Sequence, residues 1–214
     1  VRTRGTCLGA KNEFILAPRL DDLGCVFGLL EGFLAAKASG SVPVFCAFDN
    51  EEVGSQTKQG AASSLLSDTL RRIALALGLN EEGYLRMLAQ SFLVSADNAH
   101  GVHPNHPELA DVTCGALLGR GVALKRSPRY SSDADTCAVI SGLCDAAGIP
   151  LQTYMNRADL PGGSTVGSMA SSLLAMPAAD IGVPLLAMHS ARELMAAADQ
   201  DAFVRLCTAF YSAK

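Results

Sequence analysis

The chain has 214 residues, of which 49% are hydrophobic and 18% are charged. This length predicts one large domain or two small ones, and the composition excludes a disordered chain. With 17 basic against 21 acidic residues, the net charge of −4 gives no basic surface that would favour nucleic acid. The longest apolar stretch without charges, residues 160–179, does not predict a membrane span. It is interrupted by Pro161, Gly162, Gly163, Gly167 and Pro177.

The cysteines indicate the redox compartment. There are seven of them, an odd number, and none forms a C-x-x-C pair. This usage is typical of reduced thiols and predicts a cytoplasmic protein without a disulfide framework. No apolar segment near the start has the form of a signal peptide, which agrees with that compartment. The cysteines are Cys7, Cys25, Cys46, Cys114, Cys137, Cys144 and Cys207.

Four segments have the apolar spacing that predicts helices. They are residues 23–38, 60–77, 135–147 and 191–212. The first contains only Glu31 and Lys37 as charged residues, so we expect a largely buried helix. Asp21 and Asp22 precede it, and carboxylates suit the positive end of a helix.

Four shorter apolar runs predict strands at residues 42–48, 91–96, 151–155 and 184–188. The run at 42–48, VPVFCAF, is continuous, which is typical of a strand buried on both faces. Strands that alternate with helices predict an α/β domain with a mostly parallel sheet. In such sheets, functional groups gather beyond the carboxyl ends of the strands.

Candidate metal ligands follow three of the predicted strands and precede the first helix. Carboxylates collected at one sheet edge would repel one another, and a divalent cation would relieve that repulsion. Two-metal hydrolytic sites place their ions about 3.5–4 Å apart, so we expect the ligands to lie within roughly 10 Å of each other. In a tight turn, adjacent Glu51 and Glu52 could divide the roles of general base and metal ligand. The candidates are Asp21, Asp49, Glu51, Glu52, Asp97 and His189.

Each candidate also has a purely structural interpretation. Asp21 could be a helix N-cap, and Glu51 with Glu52 could form a solvated turn. Asp97, which precedes an asparagine, could make an Asx-turn, and His189 could cap the last helix. Spacing alone leaves both interpretations open.

The histidines between residues 100 and 106 suggest a metal cluster by their spacing. Prolines at 104 and 107 prevent a helix there, so the histidines need not share a face. For His106 we favour a loop without a metal.

The segment PGGSTVGS, residues 161–168, is similar in composition to a phosphate-binding loop. It lacks the lysine of a P-loop and the spacing of a dinucleotide fingerprint. Gly162 and Gly163 more plausibly allow the backbone to approach a ligand or a metal site closely.

Five segments resemble, in order, the motifs of the aspartyl aminopeptidase family of cocatalytic zinc metallopeptidases. They are FILAPRLDDL, FDNEEVGSQTKQGA, SADNAHGVHPN, NRADLPGGSTVGS and PLLAMHSARE, and they span residues 13–193. The combination is far more specific than E-E-V-G, which also occurs in related aminopeptidases. The resemblance implies a three-layer α/β/α fold with a mixed, mostly parallel sheet, and one metallopeptidase catalytic domain over residues 1–214.

The resemblance also implies a role for each candidate residue. Asp21 matches the carboxylate that bridges two zinc ions, and Glu51 matches the general base. Glu52 and His189 match the ligands of one ion, and Asp97 matches a ligand of the other. The implied cofactor is Zn²⁺, two ions in the complete site, with Mn²⁺ or Co²⁺ as alternatives. The implied reaction is hydrolysis of the first peptide bond of a peptide substrate.

Further residues are implied to contact the substrate. His103, Gly163 and Ser164 would line its binding site. The family's preference for acidic N-terminal residues involves basic groups, one of which is expected in residues 121–126. Lys125 and Arg126 lie in that segment.

The chain departs from the family pattern in one respect. Family members have an N-terminal portion that supplies another metal-binding histidine and an aspartate that orients it, together with an inserted assembly domain. No H-x-D pattern precedes Arg19. We therefore expect the C-terminal part of a catalytic unit that forms a homo-oligomer when full length, and apolar surface exposed where a neighbouring strand or domain would pack.

Two other functions stay open from the sequence. With an incomplete metal site, the chain could be a non-catalytic remnant or an assembly subunit that binds peptides. It could also be a peptidase of different specificity on the same scaffold. The composition favours neither nucleic acid nor a membrane as a partner in any of these cases.

Overall fold

The computed structural model describes residues 4–37, 40–160, 162–163 and 165–213. The helices are α1 (Leu20–Ala35), α2 (Leu65–Ala76), α3 (Glu81–Ala89), α4 (Ala134–Ala147), α5 (Val166–Leu174) and α6 (Ala197–Tyr211). The strands are β1 (Thr6–Leu8), β2 (Phe14–Ala17), β3 (Leu93–Ala96), β4 (Ala99–His100), β5 (Val122–Lys125), β6 (Leu151–Tyr154), β7 (Ala178–Gly182), β8 (Pro184–Leu186) and β9 (Glu193–Ala196). Within these ranges, no helix is long and apolar enough to cross a membrane.

The strands form two mixed sheets. One has the order β1-β2-β9-β8-β4, and the other has the order β3-β7-β5-β6. The pairs β3/β7, β4/β8 and β5/β6 are parallel, whereas the remaining pairs are antiparallel. Together with the helices, this arrangement confirms the predicted α/β class and its mixed sheet.

The main core lies where α1 packs along α6 and both helices cover the strands. Phe203 of α6 is fully buried, and its ring occupies the place that a side chain at Gly28 of α1 would take. One turn further along, Cys207 contacts the backbone at Gly32 in the same way. The two glycines therefore allow the helix axes to approach closely. Hydrogen bonds from Asp21 N–H to Glu193 and from Asn98 to the carbonyl of Leu20 hold the start of α1 beside β9 and the end of β3.

The prediction of a strand at residues 42–48 is wrong. The segment is extended, but it forms no strand and makes no backbone hydrogen bond to another described backbone group. Val42 is 61% exposed, so the segment is not buried on both faces. An apolar run becomes a strand only where a neighbouring strand accepts its hydrogen bonds, and no described strand lies beside this one.

Other boundaries and elements differ from the sequence prediction. The tail predicted as one helix at 191–212 begins with β9 and becomes helical only at Ala197, because Glu193–Ala196 pairs with β2 and β8. The hairpin β1–β2, the strands β5 and β7, and the short helices α3 and α5 were not predicted. The strands predicted at 91–96, 151–155 and 184–188 are present as β3, β6 and β8.

Candidate metal centre

Three turns at the ends of different elements hold the candidate ligands, and each turn contains a non-glycine residue in the left-handed conformation. Arg19 (φ 60°) precedes Asp21, and Asn50 (φ 62°) precedes the glutamate pair. His189 itself has φ 67°. Such residues cost on the order of 1–3 kcal/mol each and concentrate at functional sites. The coincidence of three at one place therefore motivates a functional interpretation.

The glutamate pair lies on a short, internally bonded turn. Glu51–Val53 forms one turn of 3-10 helix. Asn50 holds the turn through its side-chain oxygen, which accepts hydrogen bonds from Gln59 at 2.7 Å and from Thr57 at 3.4 Å. These bonds fix the backbone that carries the two glutamates, although residues 42–48 before it make no described backbone–backbone hydrogen bond.

The turns bring the predicted ligands into one cluster. His189 Nε2 lies 3.2 Å from Asp21 Oδ2 and 3.1 Å from Glu52 Oε2. Ligand atoms of these three side chains lie within 4.8 Å of one another, and so do those of Asp21, Asp22 and Asp97. Asp21 therefore belongs to both groups, which is the placement that a bridging carboxylate requires. The roles of these residues as ligands stay predictions.

Glu193, which is not among the ligands predicted from the sequence, organises the cluster. Its carboxylate is buried and accepts hydrogen bonds from the backbone N–H groups of Asp21, at 3.0 Å, and of His189, at 2.7 Å. One side chain on β9 thus fixes the backbones of Asp21 and His189 relative to each other. Its position four residues after His189, in a strand that is otherwise apolar, was the available signal.

On the other side of the cluster, Asp97 contacts a buried lysine. Lys125, only 2% exposed, places Nζ 3.3 Å from Asp97 Oδ2 and donates at 2.8 Å to the carbonyl of Asn98. Its Nζ also lies 5.4 Å from the centroid of the Tyr130 ring. Burial alone would lower the pKa of Lys125, but Asp97 and other anionic groups raise it above its ordinary value. Lys125 is therefore a fixed positive charge beside the carboxylates.

Asn98 joins the end of β3 to the start of α1. Its Nδ2 donates to the carbonyl of Leu20 at 2.9 Å and to Asp22 Oδ1 at 3.3 Å. Burial, followed by the charge of Asp97, raises the pKa of Asp22 well above its usual range. Asp22 is therefore a structural partner of Asn98, whereas Asp21 faces the histidine.

Burial and mutual repulsion disfavour the ionised form of the carboxylates in this cluster when no cation is bound. Burial, with the charges of Asp97 and Glu52, raises the pKa of Asp21 to about 7. Burial and the same kind of repulsion raise the pKa of Glu51. A bound cation would reverse this balance, because it favours the ionised form of every carboxylate that faces it.

The donor set fits zinc. Two carboxylates and an imidazole are ligands that zinc accepts, and hydrolytic zinc sites leave a position open for water or substrate. The Asp21 side chain is 4% exposed, whereas those of Glu52 and His189 are 54% and 64% exposed. The cluster is thus anchored on its inner side and open to solvent on its outer side.

Glu51 and Glu52 do lie on a partly exposed turn, as their structural alternative predicts, whereas the capping and Asx-turn alternatives find little support. Asp21 and Asp22 have non-helical backbone angles within α1, and no described hydrogen bond joins the Asp21 side chain to a backbone N–H of the helix, so a capping role for Asp21 is not supported. The N-cap of α6 is Ala196, so His189 does not cap it. Asp97 contacts Lys125, and no described hydrogen bond gives it an Asx-turn.

The predicted substrate-site residues are less well placed. His103 lies on an exposed loop, where its Nδ1 accepts from Asn105 N–H and its ring lies 5.5 Å from that of His106. Gly163 is exposed with open space around it, and Ser164 lies outside the described residues. Their contact with substrate stays a prediction. For His100, burial and then the charges of Lys125 and His189 lower the pKa of the imidazole.

The family is decided by comparison with known proteins. The family model described as Aminopeptidase I zinc metalloprotease (M18) matches residues 2–211. The chain belongs to the M18 family. This result confirms the resemblance inferred from the five motifs.

Relatives in the family are about twice as long as this chain. The probable M18 family aminopeptidase 2 of Clostridium novyi (strain NT) is 43% identical over 211 residues, which cover 98% of this chain and 49% of the relative. The probable M18 family aminopeptidase 2 of Mycobacterium leprae (strain TN) is 44% identical over 208 residues, which cover 96% and 49%. This chain spans about half the length of the relatives that it matches.

Solved structures of M18 proteins have the same fold. An M18 aminopeptidase from Thermotoga maritima matches with a TM-score of 0.91 at 25% identity, over 98% of this chain and 48% of that chain. A chain of the Ape4 and Nbr1 complex matches with a TM-score of 0.91 at 31% identity, over 98% and 41%. The mApe1 dodecamer of S. cerevisiae matches with a TM-score of 0.84 at 27% identity, over 98% and 48%.

Proposed function

We propose that this chain is the C-terminal part of a zinc aminopeptidase that removes the N-terminal residue of peptides. The observation that carries the proposal is the position of His189 Nε2, 3.2 Å from Asp21 and 3.1 Å from Glu52. These three side chains would hold one zinc ion. Asp97 would hold a second, with Asp21 as the shared ligand. The zinc-metalloprotease family supports zinc over Mn²⁺ or Co²⁺.

Glu51 would be the general base. Zinc, when bound, would polarise the scissile carbonyl and ease deprotonation of the attacking water. Glu51 would accept that proton and return it to the leaving amine. Its raised pKa suits this exchange, because a base that must gain and lose a proton works best when its pKa lies near the working pH.

A preference for acidic N-terminal residues is part of the proposal. Of the two basic candidates, Lys125 contacts Asp97, whereas Arg126 is exposed and makes a backbone hydrogen bond to Tyr154. The positive charge of Lys125 would attract the carboxylate of a substrate Asp or Glu. Lys125→Met should then lower kcat/KM for an N-terminal Glu at least tenfold relative to an N-terminal Ala, with Arg126→Met as the control.

The proposal also covers the rest of the enzyme, its assembly and its location in the cell. A second part of the enzyme would supply the remaining metal-binding histidine and the residue that orients it. Homo-oligomerisation is supported by the mApe1 dodecamer among the similar structures. A cytoplasmic location is supported by the seven cysteines, which are all free thiols.

One contact favours a second candidate function. Lys125 Nζ lies 3.3 Å from Asp97 Oδ2, where it competes with an ion for that oxygen. If Lys125 prevails, the chain would hold a single ion and act as a non-catalytic subunit.

Metal content and activity, measured on one sample, separate the two functions. The enzyme predicts two zinc ions per complete unit and release of N-terminal residues from peptides. Glu51→Gln should abolish this release while the zinc remains. One ion without turnover, from the chain alone and from the chain supplemented with the other half of an M18 relative, would favour the non-catalytic subunit.

A further inference from the structure

A buried carboxylate in the middle of β7 joins two segments that are distant in the sequence. Asp180 is only 1% exposed, and a carboxylate so buried requires hydrogen bonds to offset its desolvation. Its Oδ2 accepts from both the N–H and the hydroxyl of Ser131, each at 2.6 Å. Its Oδ1 accepts from the hydroxyl of Thr165, also at 2.6 Å. Ser131 follows a turn after β5, whereas Thr165 belongs to the glycine-rich segment at residues 161–168.

The turn that Asp180 holds carries an aromatic ring to Lys125. The ring of Tyr130, the neighbour of Ser131, has its centroid 5.4 Å from Lys125 Nζ. The N–H of Asp180 donates at 2.8 Å to Ser132 Oγ, so the backbone and the side chain of Asp180 both bind this turn. Asp180 and Lys125 are paired residues of β7 and β5, and paired residues lie on the same face of a sheet. Asp180 therefore holds the turn from the strand next to that of the lysine.

The glycine-rich segment is held at two points of its described part. Thr165, the residue before α5, is buried and bonded to Asp180. Gly162 lies against Asn156, whose side-chain amide occupies the place that a side chain at Gly162 would take. Asn156 Nδ2 also lies 3.1 Å from the hydroxyl oxygen of Tyr130 and donates to it. The same two side chains, those of Asp180 and Asn156, therefore hold both the glycine-rich segment and the turn with Tyr130.

We propose that Asp180 is a positioning residue of the substrate site, which acts through Thr165 and Ser131 to hold the glycine-rich segment against the turn that carries Tyr130. The substrate group concerned is the acidic side chain of the N-terminal residue. The inference rests on the proposed function, in which Lys125 attracts that side chain. It concerns selectivity and not the metal, because no described hydrogen bond joins Asp180 to a candidate ligand.

The test compares two probes on the zinc-loaded chain by titration calorimetry, the hydroxamates of L-aspartic acid and of L-alanine. Both present the same hydroxamate to the metal, but only the first has a carboxylate for Lys125. Thr165→Val removes one donor to Asp180 and should weaken binding of the aspartate probe about fivefold relative to the alanine probe. Thr165→Ser, which restores the hydroxyl, should return this ratio to within about twofold of the parent's. A loss of stability alone would weaken both probes alike and leave the ratio unchanged.

Two further variants complete the series. Asp180→Asn retains the size of the side chain but has one acceptor oxygen, so we expect a loss of about tenfold in the same ratio. It also removes a negative charge from the strand beside Lys125, and the Thr165 variants separate the two effects. They also decide the test if Asp180→Asn fails to fold. Ser172→Ala removes a hydroxyl from the exposed side of α5 and is the control that should leave the ratio unchanged.

Hydrogen exchange in the chain alone gives a readout that needs neither zinc nor probe. Thr165→Val should speed exchange of the Ser131 amide about tenfold relative to Thr165→Ser, because the carboxylate of Asp180 loses a bond that fixes its orientation. Amides of α4 should exchange at the same rate in both variants.

Two results would overturn the inference. One is a ratio of probe affinities in Thr165→Val that equals the parent's, where the parent prefers the aspartate probe. The other is a Ser131 amide that exchanges equally in Thr165→Val and Thr165→Ser. A parent that does not prefer the aspartate probe would refute the acidic preference in the proposed function, whereas faster exchange of Ser131 in Thr165→Val would still support the coupling through Asp180.

Discussion

Two regions of the molecule carry the candidate site, and they differ in how completely the chain supports them. Asp21 and His189 lie where α1, α6 and β9 pack together, and buried Glu193 bonds the backbones of both. Glu51 and Glu52 follow residues 42–48, which pair with no described strand. One side of the site is therefore held by packed elements and hydrogen bonds, whereas the other follows a segment that pairs with no described strand.

The candidate residues on these two sides should therefore respond differently to substitution. The ligands on the supported side keep their geometry through hydrogen bonds that the chain itself provides. Glu51 and Glu52 lie on a turn held by the Asn50 side chain, and the extended segment before that turn pairs with no described strand. The following predictions test this contrast.

The largest expected effect is a matched pair of phenylalanine truncations. Phe203→Ala removes a fully buried ring between α1 and α6 and should lower the free energy of unfolding by about 4 kcal/mol. Phe45→Ala, at a half-buried position in the segment 42–48, should cost only about 1 kcal/mol. Urea denaturation monitored by circular dichroism measures both, and equal losses would contradict the contrast.

The next effect concerns the carboxylate behind the ligands. Glu193→Ala leaves the N–H groups of Asp21 and His189 without their acceptor, so we expect a loss of about 3 kcal/mol in the metal-free chain. Glu193→Gln retains one acceptor oxygen and should lose about half as much. Zinc affinity should fall about 10–100-fold in both variants, as for other residues that orient ligands. Unchanged zinc affinity would show that Glu193 does not position them.

A smaller effect is a dependence on pH. The pKa of Asp21 is about 7 in the metal-free fold, above its ordinary value of 3.8, so folding favours the protonated form. Its ionisation therefore costs stability progressively as the pH rises from about 4 to 7, and the full cost is present above pH 7. Asp21→Asn should match the parent's Tm near pH 4 and exceed it at pH 8 in the absence of metal. A Tm difference that is the same at both pH values would refute this shift.

Much of the fold could be predicted from the sequence, because local pattern and tertiary context agree there. The helix at 135–147 ends at Gly148, which adopts the left-handed conformation that terminates a helix. Residues 42–48 have the pattern of a buried strand, but a strand also requires a partner, and the sequence of the segment does not contain that information. The tail shows the same limit, because pairing with β2 and β8 makes Glu193–Ala196 a strand within an apparently helical pattern.

The sequence was sufficient to select the side chains that cluster at the candidate site, but not the residues that hold those side chains in place. Asp21, Glu52 and His189 were selected because each adjoins an apolar element and matches a family motif. Glu193 and Asn98 were not selected, because their function lies in hydrogen bonds to the backbone of residues distant in sequence. Spacing also could not distinguish Lys125 from Arg126, which differ in burial and not in position along the chain.

The most direct test of the central claim is the zinc content of the chain after dialysis against trace zinc at pH 8. We predict at least one ion per chain in the parent, loss of that ion in His189→Ala, and no change in His106→Ala, whose histidine lies on the exposed loop. A parent without zinc, or a His189→Ala variant that retains as much zinc as the parent, would contradict the assignment of Asp21, Glu52 and His189 as a metal site.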